Sequence, residues 1–266
     1  MTDVKDLSSI LKVPMKSSHE FALFHPQLSS LVAGNLTHTF SCVINDADLV
    51  HRMLHVLRLE NGQQCILFDQ LLHGIFTVHT INKKAVVGTI TMVTKNISFK
   101  PIITYCVPLL KRDALDQALY TLTEIGVNAI QLVDTQKINR PWTPKEFERA
   151  QRLIIAAAEQ SKNFAYPNLL SPLPFDEVLD NYMRLPAYKL YCDPSGEPLW
   201  QCLKQVHALK PTDIIIMSGP EADLTREEKK GLQDCSVIFC ALTPTILRAY
   251  QAITLSAGVF RSITRQ

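Results

Sequence analysis

Between about residues 40 and 95, apolar and polar side chains alternate in short β-branched runs: Cys65-Ile-Leu-Phe-Asp69, Gly74-Ile-Phe-Thr-Val-His79 and Ala85-Val-Val-Gly-Thr-Ile-Thr-Met-Val93. That period of two predicts half-buried strands. Glu60-Asn-Gly62 and Asn82-Lys-Lys84 are hairpin-type turns, and Val50, Leu54 and Leu57 predict a short helix over Ala47 to Leu57. Residues 21–95 thus read as a small β-rich domain behind an N-terminal extension (1–20), with a linker over residues 94–101.

From about residue 102 the period lengthens. The buried run Ile102 to Leu110 predicts a strand, and Leu115, Ala118, Leu119, Leu122 and Ile125 form the apolar stripe of a helix that Asp113 caps and Gly126 closes. Further strands are expected over Ala129 to Asp134, Tyr188 to Cys192, Asp213 to Met217 and Ser236 to Leu242. Capping boxes at Thr143-Pro-Lys-Glu146 and Thr225-Arg-Glu-Glu228 open two helices, the first running to about Lys162, and a last helix runs from about Thr245 to Arg261. Such alternation implies a largely parallel sheet covered on both faces, which makes residues 102–266 an α/β domain.

Composition narrows the chemistry. With 47% hydrophobic and 20% charged residues the chain is ordinary globular protein, which excludes long disorder. Its nine glycines are about half the usual share of roughly 7%, and no two are separated by a single residue. The G-x-G-x-x-G dinucleotide fingerprint and the glycine-rich phosphate loop are therefore excluded. The seven cysteines are odd in number and contain no C-x-x-C, against a zinc ribbon or a thioredoxin-like centre, and their apolar surroundings suit buried thiols in a reducing cytoplasm. The start, Met-Thr-Asp3-Val-Lys-Asp6, lacks the charge of a signal peptide, and no apolar run approaches the roughly 18 residues of a membrane span; a soluble, unexported protein is expected. A net charge of +2 is too mild to diagnose nucleic-acid binding, but seven of the eight histidines precede residue 80, which suggests two regions with different jobs.

His51-Arg-Met-Leu-His55 has two imidazoles at helical spacing, yet Arg52 stands where a zinc protease needs glutamate, so no metal is expected. With Arg58, Lys83 and Lys84 these residues suit phosphate contacts, although an ordinary solvated surface fits the composition equally well. In parallel sheets ligands bind beyond the carboxyl ends of strands, which singles out Ser218-Gly-Pro-Glu-Ala222 and Leu242-Thr-Pro-Thr-Ile-Leu-Arg248 as walls of one pocket. Arg248 near a helix start opposes the helix dipole, so helix stability does not explain it. Without a G-x-S-x-G elbow, and with His207 alone in the second region, covalent or histidine-based catalysis is disfavoured.

In order along the chain, Phe24-His-Pro26, His51, Val56-Leu-Arg-Leu59, Gly62, Leu67-Phe-Asp69, Thr123-Glu-Ile-Gly-Val127, Ala157-Ala-Glu-Gln-Ser161, Pro167, Gly219-Pro-Glu221 and Ile246-Leu-Arg248 resemble the RsmE family. These are SPOUT-class methyltransferases of uridine N3 in 16S ribosomal RNA. The resemblance implies a PUA-like β-barrel RNA-binding domain followed by a SPOUT α/β domain with a trefoil knot, a homodimer, and S-adenosylmethionine as cofactor. By the same resemblance Leu190, Met217, Ser218, Gly219, Pro220, Glu221, Leu242, Ile246 and Leu247 would hold the cofactor. Arg248 would stabilise the uracil anion, and His51, Arg52, Arg58, Lys83, Lys84, Lys111, Arg112 and Lys137 would contact RNA of the small ribosomal subunit. The chain departs from the family pattern at Ala222-Asp223, where two glycines are usual, and aspartate does not freely adopt glycine-only backbone angles, which predicts a loop of altered shape. That change also keeps open a non-catalytic role in ribosome assembly and a different SPOUT specificity.

Overall fold

The alternating runs of the first region fold as one five-stranded sheet. The computed structural model describes residues 20–32, 39–138 and 140–263; of the expected N-terminal extension it takes in Glu20, residues 1–19 lying outside the described residues. The first elements are β1 (Ala22–Phe24), α1 (Leu28–Val32), β2 (Phe40–Ile44), α2 (Ala47–His51), β3 (Gln64–Phe68), β4 (Leu72–Ile81) and β5 (Val86–Lys95). They are ordered β1-β3-β4-β5-β2, antiparallel except where β1 runs parallel to β3. Alternation along β4 and β5 buries Phe76, Val78, Val86 and Ile90 against Leu49, Val50 and Met53 of the helix.

The buried face of that helix is not the expected Val50, Leu54, Leu57 stripe. After His51 the chain continues as a π-helical turn over Arg52–Val56, in which the Leu57 N–H donates to the Arg52 carbonyl at 2.9 Å. The longer loop of each hydrogen bond rotates the later residues, so Met53 goes inside while Leu54 and Leu57 stay half-buried. The Asn82 turn is held as expected: its Oδ1 accepts from Lys84 N and Ala85 N at 2.8 and 3.0 Å.

The second region comprises β6 (Ile102–Pro108), α3 (Arg112–Ile125), β7 (Ala129–Asp134), α4 (Pro144–Ser161), β8 (Asn168–Pro174), α5 (Phe175–Val178, extended by a π-helical turn to Met183), β9 (Tyr188–Pro198), α6 (Leu199–Leu209), β10 (Asp213–Ser218), α7 (Arg226–Asp234), β11 (Ile238–Ala241) and α8 (Ala249–Ile263). Its six strands are all parallel, in the order β11-β9-β10-β6-β7-β8. Both faces are covered. One core joins Ile103, Leu119, Leu190, Ile216, Ile253 and Phe260, and the other joins Cys106, Val133, Tyr191, Met217 and Leu232.

Both capping boxes form, at Thr143/Glu146 and Thr225/Glu228. Two helix starts differ from expectation. The N-cap of α3 is Lys111, not Asp113, which lies in the first turn. The last helix begins at Ala249, not Thr245, because a bond from the Thr243 hydroxyl to the Thr245 carbonyl (2.7 Å) holds the preceding residues as a turn, which competes with helix formation.

The two sheets are joined along a tight seam. Phe68 of β3 lies 4.7 Å from Phe164 between ring centroids, and Phe24 and Tyr166 pack edge-on beside them. Arg52, expected to face RNA, instead donates to Glu159 of α4 at 2.5 Å, and the second oxygen of Glu159 accepts the Phe24 N–H at 2.9 Å. Its charge is paired within the fold. Glu159→Ala should lower stability by about 2 kcal/mol, because it strands both an arginine and a backbone donor. Arg52→Met should cost about 1 kcal/mol, since the arginine side chain keeps 31% of its surface and is screened by water. Urea midpoints measure both, and equal small shifts would make the bridge an ordinary surface pair.

Candidate active site

A cleft of about 850 Å³ opens at the carboxyl ends of β9, β10 and β6, where a parallel sheet offers its strand ends to ligands. One wall is the turn after β10, Ser218 to Asp223; another is the segment Leu242 to Arg248 between β11 and α8; a third is the start of α3. Of the residues expected at a cofactor, Ser218, Gly219, Pro220, Glu221, Leu242, Ile246 and Leu247 line this cleft together with Arg248. Leu190 and Met217 do not: both are fully buried, their side chains in the cores on opposite faces of the sheet.

Apart from Arg52, the seven residues expected to touch RNA divide three ways. Lys111 and Arg112 line the cleft and are exposed. His51, Arg58, Lys83 and Lys84 are exposed on the N-terminal unit, with the His51 and His55 rings 5.0 Å apart. Lys137 is at the cleft's outer side, where its ammonium donates to the carbonyls of Ala222 (2.9 Å) and Leu224 (3.1 Å). It fastens the loop.

Beneath Ser218 the cleft rests on a buried polar cluster. The Tyr105 hydroxyl lies 2.5 Å from Ser218 Oγ and 2.8 Å from Ser256 Oγ, all three buried, and so links the β10 turn to α8. Burial pushes the Tyr105 phenol well above its usual range, so it stays protonated. Gly219 is required by its neighbour, since a Cβ there would lie 2.6 Å from Tyr191 Oη. Glu221 reaches across to α3, where its Oε1 accepts the Lys111 N–H at 3.2 Å. It thereby supplies from a distant loop an acceptor at the start of α3, where no side chain of the helix itself caps the backbone.

Asp223, where a loop of altered shape was expected, has φ 59°, the left-handed backbone that glycine adopts most readily. Its carboxylate is tied down by Tyr191, by the Leu224 N–H and by Lys229, which also grips Asp193. Arg248 is the N-cap of α8: its carbonyl accepts from Gln251 and Ala252, and its own N–H donates to Gln251 Oε1 at 3.3 Å. Its guanidinium makes no hydrogen bond or ion pair among the described residues and stands exposed at the cleft lip. Tyr105, Tyr191, Asp193 and Lys229 were not singled out from sequence, and Asp223 was noted only for its backbone. The signal was available for Tyr191 and Asp193, which lie near the end of a predicted strand and just after it, beside the two loops that were chosen.

Comparison with known proteins gives this cleft a family. The sequence profile of the RNA methyltransferase domain matches residues 99–261. The ribosomal RNA small subunit methyltransferase E of Synechocystis is 23% identical over 261 residues, covering 96% of this chain and 80% of that protein. The enzyme of the same name from Bacillus subtilis is 24% identical over 212 residues, with 76% and 83% covered. The crystal structure of the Neisseria gonorrhoeae methyltransferase E, bound to S-adenosyl methionine, shares the fold with a TM-score of 0.77 at 22% identity, covering 92% of this chain and 98% of that one. The two-sheet architecture and the strand-end cleft thus accompany a domain match over more than half of the sequence, and the chain belongs to the RNA methyltransferase domain family.

Proposed function

We propose that the protein methylates N3 of a uridine in 16S ribosomal RNA of the small subunit, with S-adenosylmethionine as donor. The observation that carries this reading is the strand-end cleft with an unpartnered arginine at its lip. Its volume suits a nucleoside cofactor beside a flipped base. The lining suits that cofactor too: Gly219 and Pro220 line the cleft, and Leu242, Ile246 and Leu247 offer apolar contact to an adenine face. Bound there, S-adenosylmethionine supplies an electrophilic methyl group. Leu190 and Met217 belong to the site through the strands that carry it.

Uracil N3 becomes nucleophilic when its imide proton passes to water at the exposed cleft lip, and the resulting anion spreads onto the flanking carbonyl oxygens. Arg248 supplies a planar, permanently charged donor to that anion. Lys111 and Arg112, at the opposite wall, hold the phosphates on either side of the target nucleotide. His51, Arg58, Lys83 and Lys84 extend the track over the N-terminal unit, read as a PUA-like RNA-binding domain spanning 21–95 beside a SPOUT domain spanning 102–266.

A trefoil knot and a homodimer complete the reading. The knot is carried over from the resemblance; beside it stands a step in the parallel β11 ladder on β9, from Phe239/Tyr191 to Cys240/Glu197, with Gly196 packed closely on Phe239. The dimer is likewise carried over from the resemblance. A cytoplasmic site of action follows from the substrate. Among the described residues no helix is long and apolar enough to cross a membrane and no cluster suits a metal ion.

Nucleoside mass spectrometry of 16S ribosomal RNA from cells lacking the protein should show loss of one N3-methyluridine, restored by the intact chain. Calorimetry should show the protein binding S-adenosylmethionine. An unchanged nucleoside profile would overturn the reading, and salt-dependent RNA binding without cofactor binding would favour a non-catalytic assembly role instead.

A further inference from the structure

Asp223 occupies a left-handed backbone conformation unfavourable to an L-residue, with aspartate and asparagine among the few side chains able to offset it by bonding locally. Here those bonds are made. The Asp223 N–H donates to the Pro220 carbonyl at 2.9 Å and closes the turn. Its Oδ1 accepts the Leu224 N–H at 2.8 Å and the Tyr191 hydroxyl at 3.0 Å, while its Oδ2 accepts from Lys229 at 2.7 Å. Lys229 reaches on to Asp193 Oδ2 at 2.6 Å, and Asp193 is itself almost wholly buried and fixed by the Ser195 N–H (2.8 Å) and hydroxyl (2.6 Å).

We propose that Asp223 is a positioning residue for cofactor binding: braced by Lys229 and Asp193, it sets the backbone that Gly219 and Pro220 present to the cleft. The inference rests on the reading of that cleft as the S-adenosylmethionine site. The chain of contact is short. Tyr191 Oη, which donates to Asp223, is the atom against which Gly219 is packed, and Asp223 Oδ1 lies 3.3 Å from where a Gly219 Cβ would be. Gly219 is therefore located by the Asp223–Tyr191 pair, and that pair by an ammonium shared between two carboxylates on β9 and the β10 turn. Both carboxylates sit below their ordinary range: burial alone would raise them, but the Lys229 hydrogen bonds and charge, with the donors from Ser195, Leu224 and Tyr191, outweigh it. The brace is thus ionised at neutral pH.

Two measurements on the full-length chain test this with Asp223→Ala, Asp223→Asn and Lys229→Met. Hydrogen exchange of the Asp223 and Leu224 amides without cofactor reads the brace directly; Asp223→Ala and Lys229→Met should speed it at least tenfold, and Asp223→Asn, which keeps the Oδ1 acceptor and tolerates the left-handed backbone but loses the Lys229 bond, should fall between Asp223→Ala and the parent. Calorimetry and kinetics should show cofactor affinity at least tenfold weaker in Asp223→Ala and Lys229→Met, intermediate in Asp223→Asn, with turnover at saturating cofactor within threefold of the parent. A merely structural role would lower the melting temperature and turnover together instead of splitting affinity from turnover. Wild-type exchange in Asp223→Ala and Lys229→Met, or wild-type affinity with turnover lost, would overturn the proposal. If the parent chain binds no cofactor while the exchange results hold, the functional reading fails and the brace stands.

Discussion

Gly196→Ala should lower the melting temperature by about 6–12 °C, or leave the chain insoluble on expression. Beyond Cys192, strand β9 carries on to Pro198 and passes against β11, where a Cβ on residue 196 would lie 2.2 Å from the carbonyl carbon of Phe239, 2.3 Å from its oxygen and 2.4 Å from Cys240 N. These are backbone atoms, so no side-chain rotation relieves the overlap. The β9–β11 ladder has to open, and with it moves the Leu242 to Arg248 wall of the cleft. Overpacking of this kind costs about 3 kcal/mol, and in a chain of this size each 1 kcal/mol moves the midpoint by about 2–4 °C. Gly258→Ala is the control. Its Cβ would meet nothing closer than Ile125 Cδ1 at 3.8 Å inside α8, so a helical alanine there should be neutral or stabilising by up to about 1 kcal/mol. Thermal melts followed by circular dichroism compare the two; Gly196→Ala melting within 2 °C of the parent would show that the crossing relaxes.

Most of the architecture was legible because periodicity reports which face is buried. The stripe Leu115, Ala118, Leu119, Leu122 is the buried face of α3, and the alternation of β4 and β5 is the inner face of the N-terminal sheet. What periodicity could not report is a change of helical pitch: the π-helical turn after His51 conserves the residues and rotates the stripe. Nor were β8, α5 and α6 anticipated. Strand β8 is half-exposed and carries Pro172 and Pro174, so it shows neither a buried run nor clean alternation. Helix α6 starts behind Pro198 with no side-chain cap, the signal by which α4 and α7 were found.

Several short motifs that support the family resemblance prove to hold the two sheets together. Phe24 and Glu159 share a hydrogen bond and Phe68 packs on Phe164; these are seam, and Arg52 belongs with them. Asp69 works inside the N-terminal unit, where it accepts the Ser29, Leu71 and Leu72 N–H groups at 2.6, 2.8 and 2.8 Å. For the cleft, the strand-end rule found the β10 and β11 turns because each is read locally. The Asp193–Lys229–Asp223 brace was out of reach, since its members come from three elements and only the fold brings them within 3 Å. Glu221 shows the same limit: its role at the start of α3 joins residues 110 positions apart.

Arg248→Ala should reduce methyl transfer by about a hundredfold, ~2.7 kcal/mol of transition-state stabilisation, with cofactor affinity unchanged within threefold. The magnitude is that of removing one donor aimed at a developing anion in a partly desolvated site. The structure makes the substitution interpretable. Arg248 contributes to α8 through its backbone, by the Gln251 and Ala252 bonds to its carbonyl and the Gln251 bond to its N–H, and alanine keeps all three. The guanidinium contributes no bond to the fold among the described residues, so its loss should leave the melting temperature alone. Arg248→Lys should fall between the two, because an ammonium keeps the charge and loses the planar pair of donors that matches a carbonyl-flanked anion. Single-turnover assays at saturating RNA, beside calorimetry of the cofactor, separate these effects. Undiminished turnover in Arg248→Ala would remove the residue from the reaction and transfer the task of stabilising the anion to Lys111 or Arg112, the two cations that share the cleft with it.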